Sequence, residues 1–179
     1  MDEKECREGM RFILISGHIT VAAMVLATYF LYPQLPALAN METLPARWAL
    51  TLKCMALAVL PFLLGIQAIA NHRAFSAANN PLLGVETPRQ RIHIRYTQNT
   101  LEQFILFFIT LMTAAIYLDT GELMRLIPLL TAFFIFFRLL FWIGYLNHWK
   151  YRAPGMVGTG FSYIPLLFYT AYRVLSDLF

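Results

Sequence analysis

The chain has 179 residues, 59% of them hydrophobic and only 13% charged, where a soluble domain of this size carries about 25% charged residues. Its formal charge of +4 comes without any basic run interleaved with exposed aromatics, which argues against a nucleic-acid-binding domain. The apolar excess falls in runs of about 20 residues, the length that crosses a ~30 Å hydrocarbon core as helix, so an all-α integral membrane bundle is predicted.

Five spans are expected in chain order. The first is Phe12–Tyr32, with no charged residue unless His18 is protonated, and Pro33, Pro36 and Pro45 break the chain after it. The segment after it, Ala37–Ala39, looks like a signal-peptidase site. Retention is expected nonetheless, because the run is 21 residues long and the preceding tail mixes acids with bases. The second span is Trp48–Ala70, with Lys53 placed near its start, where a lysine can snorkel to the interface. The third runs from about Arg91 to Leu118, polar in its first turns and apolar from Phe104 onward. The fourth covers about Leu126–His148 and the fifth about Phe161–Leu178. Residues 1–47 therefore read as a tail, an extra span and a Pro-rich loop, and residues 48–179 as a four-helix membrane domain.

Basic residues set the expected orientation. The tail, the loop after span two and the loop after span four hold nine of them, against Arg47, Arg125 and Arg173 on the other side. The positive-inside rule then places the amino terminus in the cytoplasm.

Two spans carry polar stripes. Positions i, i+4 and i+7 share a helix face, so Arg95, Asn99 and Glu102 form one stripe at the start of span three. In span four Arg138, Phe141, Trp142 and Tyr145 form another. Twelve uncharged residues of the span precede Arg138. At that depth an arginine costs about 2.5–3.5 kcal/mol and has to face the bundle interior with a partner. One reading is a structural ion pair between Arg138 and Glu102. The other is a site for an anionic ligand, which would use the surplus cation that Arg73 and Arg152 add on the same side.

Other features imply less. The stretch Gly155–Phe161, "GMVGTGF", lacks the Gly-Lys-Ser/Thr ending of a phosphate loop and reads as a flexible turn. His18 reads as a satisfied interior residue, Phe133–Phe137 as lipid-facing or packing surface, and Cys54 as a small buried hydrophobe. His72, His93 and His148 have no metal-ligand spacing, so no metal site is expected, and Cys6 and Cys54 do not form a disulfide framework.

The arrangement Arg95-x-x-x-Asn99-x-x-Glu102 before an apolar aromatic run is the strongest part of a resemblance to the MAPEG family, the membrane-associated proteins in eicosanoid and glutathione metabolism. Arg138, Phe141, Gly144, Tyr145 and Arg152 match a second family pattern, and "NHRAF" at Asn71–Phe75 a third. The resemblance covers roughly residues 48–179. The extra first span and the segments Met124–Tyr145 and Gly158–Phe168 look most similar to the mattrin-like branch.

This resemblance implies a homotrimer of four-helix subunits, with glutathione bound between neighbours in the cytoplasmic half. Asn99 and Glu102 would hydrogen-bond the tripeptide, Arg73, Arg95 and Arg138 would meet its carboxylates, and Tyr145 would add a hydroxyl. Arg152 would stabilise the thiolate, which would attack a lipophilic substrate dissolved among the membrane lipids. Phe141 stands where several transferases have a tyrosine, and Gln103 where an aromatic is common. The alternative is a non-catalytic member acting in lipid handling, trafficking or partner regulation, with the stripes as helix–helix glue or a headgroup site. The intramembrane charges alone would also suit a channel or transporter. The expected location is an ER-like endomembrane if the source is eukaryotic, or the inner membrane if it is bacterial.

Overall fold

The computed structural model describes residues 3–74 and 85–179, with side chains from residue 5 onward. The Phe75 end of the "NHRAF" pattern and the Lys4 side chain lie outside the described residues. Among the described residues eight α-helices run in the order α1 (Glu3–Leu31), α2 (Leu44–Ala58), α3 (Leu60–Ala74), α4 (Pro88–Tyr117), α5 (Gly121–Met124), α6 (Leu126–Asn147), α7 (Ala153–Phe161) and α8 (Ile164–Leu178). No strand occurs among the described residues, and the chain is the helical membrane bundle that its composition predicts.

Local chemistry sets the helix starts. Thr43, Thr87 and Thr120 each accept a backbone N–H three residues on, capping α2, α4 and α5. Pro45 and Pro88 occupy the first turns, where a missing N–H costs nothing. The cap at Thr87 moves the start of the third span from Arg91 to Pro88.

Among the described residues four continuous segments are long and apolar enough to cross a membrane: Glu5–Gln34, Leu44–Ala74, Pro88–Tyr117 and Gly121–Asn147. The second joins α2 to α3 through Val59, which keeps a right-handed helical conformation. The fifth predicted span is not one helix. It starts earlier, at Ala153, and breaks at Ser162–Tyr163 before resuming as α8. Pro165 explains the break: its ring disfavours helical backbone at the residue before it and removes one N–H from the ladder. Ser162 caps the interruption by donating its hydroxyl to the Thr159 carbonyl at 2.6 Å.

The expected flexible turn at Gly155–Phe161 is instead the body of α7. Its glycines serve packing. A Cβ on Gly155 would overlap the backbone of Phe141, and one on Gly158 would overlap the Phe137 ring. Their absence lets α7 lie directly on α6.

The apolar core joins α2, α4 and α6 around Met55, Ala58, Phe107, Leu111, Ile127 and Phe134. Phe107 and Phe134 stack with ring centroids 4.3 Å apart. The "FFIFF" run divides between uses, since Phe134 is fully buried and Phe136 is 59% exposed. Cys54 is buried, as expected. Thr51, Thr100, Thr110 and Thr131 return their hydroxyls to carbonyls four residues back at 2.7–2.9 Å, so they enter the bundle satisfied.

The extra helix α1 packs on α7 and on the 3₁₀ turn Trp149–Arg152. At its far end Arg125 donates to the Leu35 carbonyl at 2.8 Å and lies 4.2 Å above the Tyr32 ring. Tyr32 in turn donates to the Glu122 carbonyl. His18 is not an interior residue: it lies on the exposed side of α1, satisfied by the Leu14 carbonyl of its own helix at 2.7 Å. An intrahelical acceptor is what allows a polar ring to sit there.

Candidate functional site

The predicted stripes on α4 and α6 meet. Arg95, Gln98, Asn99 and Glu102 from α4, Phe141 and Tyr145 from α6, and Arg152 and Met156 beyond them line one cavity of about 230 Å³. Five of the seven residues expected from sequence are therefore at one place: Arg95, Asn99, Glu102, Tyr145 and Arg152.

Helical spacing puts the α4 residues there, each a turn or less from the next. Arg152 arrives differently. It ends the 3₁₀ turn Trp149–Arg152, which folds back against α6 so closely that a Cβ on Gly144 would overlap the Tyr151 backbone. The His148 side chain accepts the Lys150 N–H and caps that turn. The Arg152 guanidinium then lies 5.1 Å above the Tyr145 ring, within cation–π range.

Arg138 is fully buried behind this pocket and does not line it. The Arg138–Glu102 ion pair considered from sequence does not describe the contact. Arg138 donates from both terminal nitrogens to Asn99 Oδ1, at 3.1 and 3.2 Å. Its guanidinium also lies 4.4 Å above the Phe141 ring and 5.8 Å from the Tyr96 ring. The reason is reach: Asn99 is the α4 stripe residue set inward, half-buried, whereas Glu102 faces outward and accepts from Gln98 Nε2 at 3.3 Å. Phe141 thus gives the buried Arg138 cation a π face.

A platform of rings backs the site. Tyr96 stacks on Trp142 at 4.6 Å with planes 8° apart, and its hydroxyl donates to the Pro61 carbonyl on α3. Trp142 gives its indole N–H to His93 Nδ1 at 3.1 Å. This network fixes α6 against α3 and α4, and with it the rotation that presents Tyr145.

Arg73 is not brought to the pocket. It sits half-buried in the last turn of α3 and is absent from the cavity wall. Two lining residues were missed from sequence, Gln98 and Met156. Both were available by spacing, since each lies four residues from a named one, Gln98 from Glu102 and Met156 from Arg152.

The arrangement offers two guanidinium groups, a carboxylate, two carboxamides and a phenol around a small opening. Glu102 and Arg95 are exposed on the flank of the chain.

Residues 49–172 match the MAPEG family. Bovine transmembrane protein 79 is 31% identical over 171 residues, covering 90% of this chain and 40% of that protein. Mouse transmembrane protein 79 is 30% identical over 128 residues, covering 72% of this chain and 32% of that protein. The chain thus spans less than half the length of these relatives, which represent the mattrin-like branch. No solved structure gives a significant match.

Proposed function

The chain belongs to the MAPEG family, and from that premise we propose that it is a membrane-embedded glutathione-dependent transferase or peroxidase acting on lipophilic electrophiles. The observation that carries this reading is the polar cavity shared by Arg95, Asn99, Glu102, Tyr145 and Arg152. Glutathione brings two carboxylates, one ammonium group and a thiol. In this reading Glu102 receives the ammonium group, Arg95 a carboxylate, and Asn99 and Tyr145 the peptide groups. Arg138 acts through Asn99, whose carboxamide oxygen it holds in place.

Arg152 is assigned the thiolate. A thiol ordinarily titrates near pKa ~8.5, and a guanidinium beside it favours the anion. Lowering that value by two units requires about 2.7 kcal/mol of preferential stabilisation. The anion then attacks an electrophile that arrives from the bilayer.

A cavity of about 230 Å³ is smaller than the ~300–1,000 Å³ of a complete small-molecule site. A charged Glu102 cannot be left facing lipid without a cost of several kcal/mol. Both points support a homotrimer in which a second copy closes the site and its α3 end supplies Arg73. The reading places the site in the cytoplasmic half of an endomembrane or bacterial inner membrane, with the amino terminus on the cytoplasmic side.

The runner-up is a non-catalytic member in lipid handling, trafficking or partner regulation. The Arg138–Asn99 bond favours it, because that pair ties α4 to α6 without any ligand.

Glutathione binding to the purified chain, followed by the ultraviolet absorbance of the thiolate, decides between them. The expected result is a thiolate signal at neutral pH that Arg152→Ala removes. No signal from the unaltered chain at saturating glutathione would reject the transferase reading. A signal that survives Arg152→Ala would reject only the role given to that arginine.

A further inference from the structure

One turn deeper than Asn99, α4 presents Gln103 to a second opening. This groove, of about 520 Å³, runs along the α7–α8 break and is lined by Gln103, Met156, Val157, Tyr163, Ile164 and Phe168 among others. Its wall is apolar apart from Gln103 and the neighbouring tyrosine. Met156 lines both this groove and the polar cavity, so the two adjoin.

Gln103 is held in one orientation. Tyr163, 3% exposed, donates its hydroxyl to Gln103 Oε1 at 2.9 Å. The carboxamide oxygen is thereby engaged, and the Nε2 hydrogens are the donors left for the groove. The break at Ser162–Tyr163 is what brings the phenol to this position, since it sets the Tyr163 backbone at φ −138° before α8 resumes. A carboxamide at this depth is costly unless each polar atom finds a partner. A ligand carrying an acceptor oxygen supplies it.

We propose that Gln103 recognises and activates the carbonyl oxygen of a lipophilic α,β-unsaturated ketone or aldehyde whose chain occupies the α7–α8 groove. The activation step rests on the glutathione reading for its thiolate. The sulfur, held at Arg152, forms a C–S bond to the β-carbon. The π pair of the C=C bond shifts and leaves negative charge on the carbonyl oxygen, where a Gln103 N–H stabilises the enolate. Water then protonates the α-carbon as the carbonyl re-forms, and the hydroxide left takes the proton that the thiol released on ionising, so the saturated thioether forms with no other reactant. A preorganised donor aimed at an oxygen that gains charge contributes about 100-fold or more. An acceptor that reacts by displacement of a halide develops no such charge and gains nothing from it.

The test uses the full chain in lipid bilayers. Infrared spectroscopy of bound 2-nonanone, which cannot react, reads the carbonyl stretch. A downshifted band is expected in the unaltered chain, lost in Gln103→Leu and weakened in Tyr163→Phe. Absence of the downshift, or its survival in Gln103→Leu, overturns the proposal. In turnover with glutathione, Gln103→Leu is expected to lose about 100-fold in kcat/KM for 3-nonen-2-one and less than about threefold for octyl iodide. Equal losses on both acceptors overturn the activation step. If Gln103→Leu does not fold, Tyr163→Phe makes the same comparison, because it keeps the carboxamide but frees its orientation. A carbonyl downshift without any glutathione thiolate signal supports the recognition site and counts against the transferase reading alone.

Discussion

Replacing Asn99 with leucine tests what the buried arginine is doing. Arg138 has no exposed surface, and Asn99 Oδ1 is the acceptor for both of its terminal nitrogens. An ordinary hydrogen bond between membrane helices is worth about 0.6 kcal/mol and at most ~1.7. Stranding a buried charge by removing its partner costs about 3–5 kcal/mol. The two magnitudes separate the cases, and the geometry here belongs to the second, because the remaining contacts of the guanidinium are ring faces. Asn99→Leu is therefore expected to destabilise by roughly 3 kcal/mol. With about 2–4 °C per kcal/mol for a chain of this size, the Tm falls by roughly 6–12 °C. Arg138→Met should cost less, about 1 kcal/mol, since the carboxamide it frees is half-exposed to the polar cavity. The double variant should match Arg138→Met, because the leucine has then stranded no charge. Thermal unfolding in one detergent, followed by circular dichroism or, in a Cys6→Ser background, by a thiol-reactive dye on Cys54, measures all four corners of the cycle. If Asn99→Leu costs no more than Arg138→Met, or if the two add, the guanidinium does not depend on Asn99 and the argument fails.

Two further changes probe the packing around the site. Gly155→Val would push a side chain into the Phe141 backbone, and overpacking of this kind costs about 1–3 kcal/mol. A matching loss of folded yield is expected, and full yield with unchanged Tm would contradict the close approach of α7 to α6. Arg125→Ala removes a 2.8 Å bond to the Leu35 carbonyl and a cation–π contact with Tyr32, about 1.5–3 kcal/mol for a charged donor. Limited proteolysis at the 35–43 loop should accelerate by tenfold or more, and an unaltered rate would show that α1 is held elsewhere.

The legible part of this structure was the periodic part. Helix spacing alone placed Arg95, Asn99 and Glu102 on one face, and aligned Phe141 and Tyr145 along α6. The buried arginine was flagged by its cost before any contact was known. Which α4 residue it meets was not legible, because that depends on the rotation of α4, set by the Tyr96–Trp142 stack and the Tyr96 bond to Pro61. The glycines of α7 misled for a related reason. Glycine signals a turn in isolation, and only the face of α6 opposite shows that its missing side chains are a docking surface. The break at Ser162–Tyr163 had its signal in Pro165, hidden inside a run apolar enough to read as one span.

The extra helix also sets a schedule for biogenesis. Tyr32 bonds Glu122 and Leu35 bonds Arg125, each pair 90 residues apart, and Gly9 lies against Trp149. At roughly 5–20 residues per second of synthesis, α1 waits about 5–18 s in the bilayer before these partners are made. During that interval it has to persist as a lone span, which a run without charges from Phe12 to Tyr32 allows. Arrested chains ending before α5 should therefore hold α1 inserted and undocked, a state open to assembly factors or quality-control proteases.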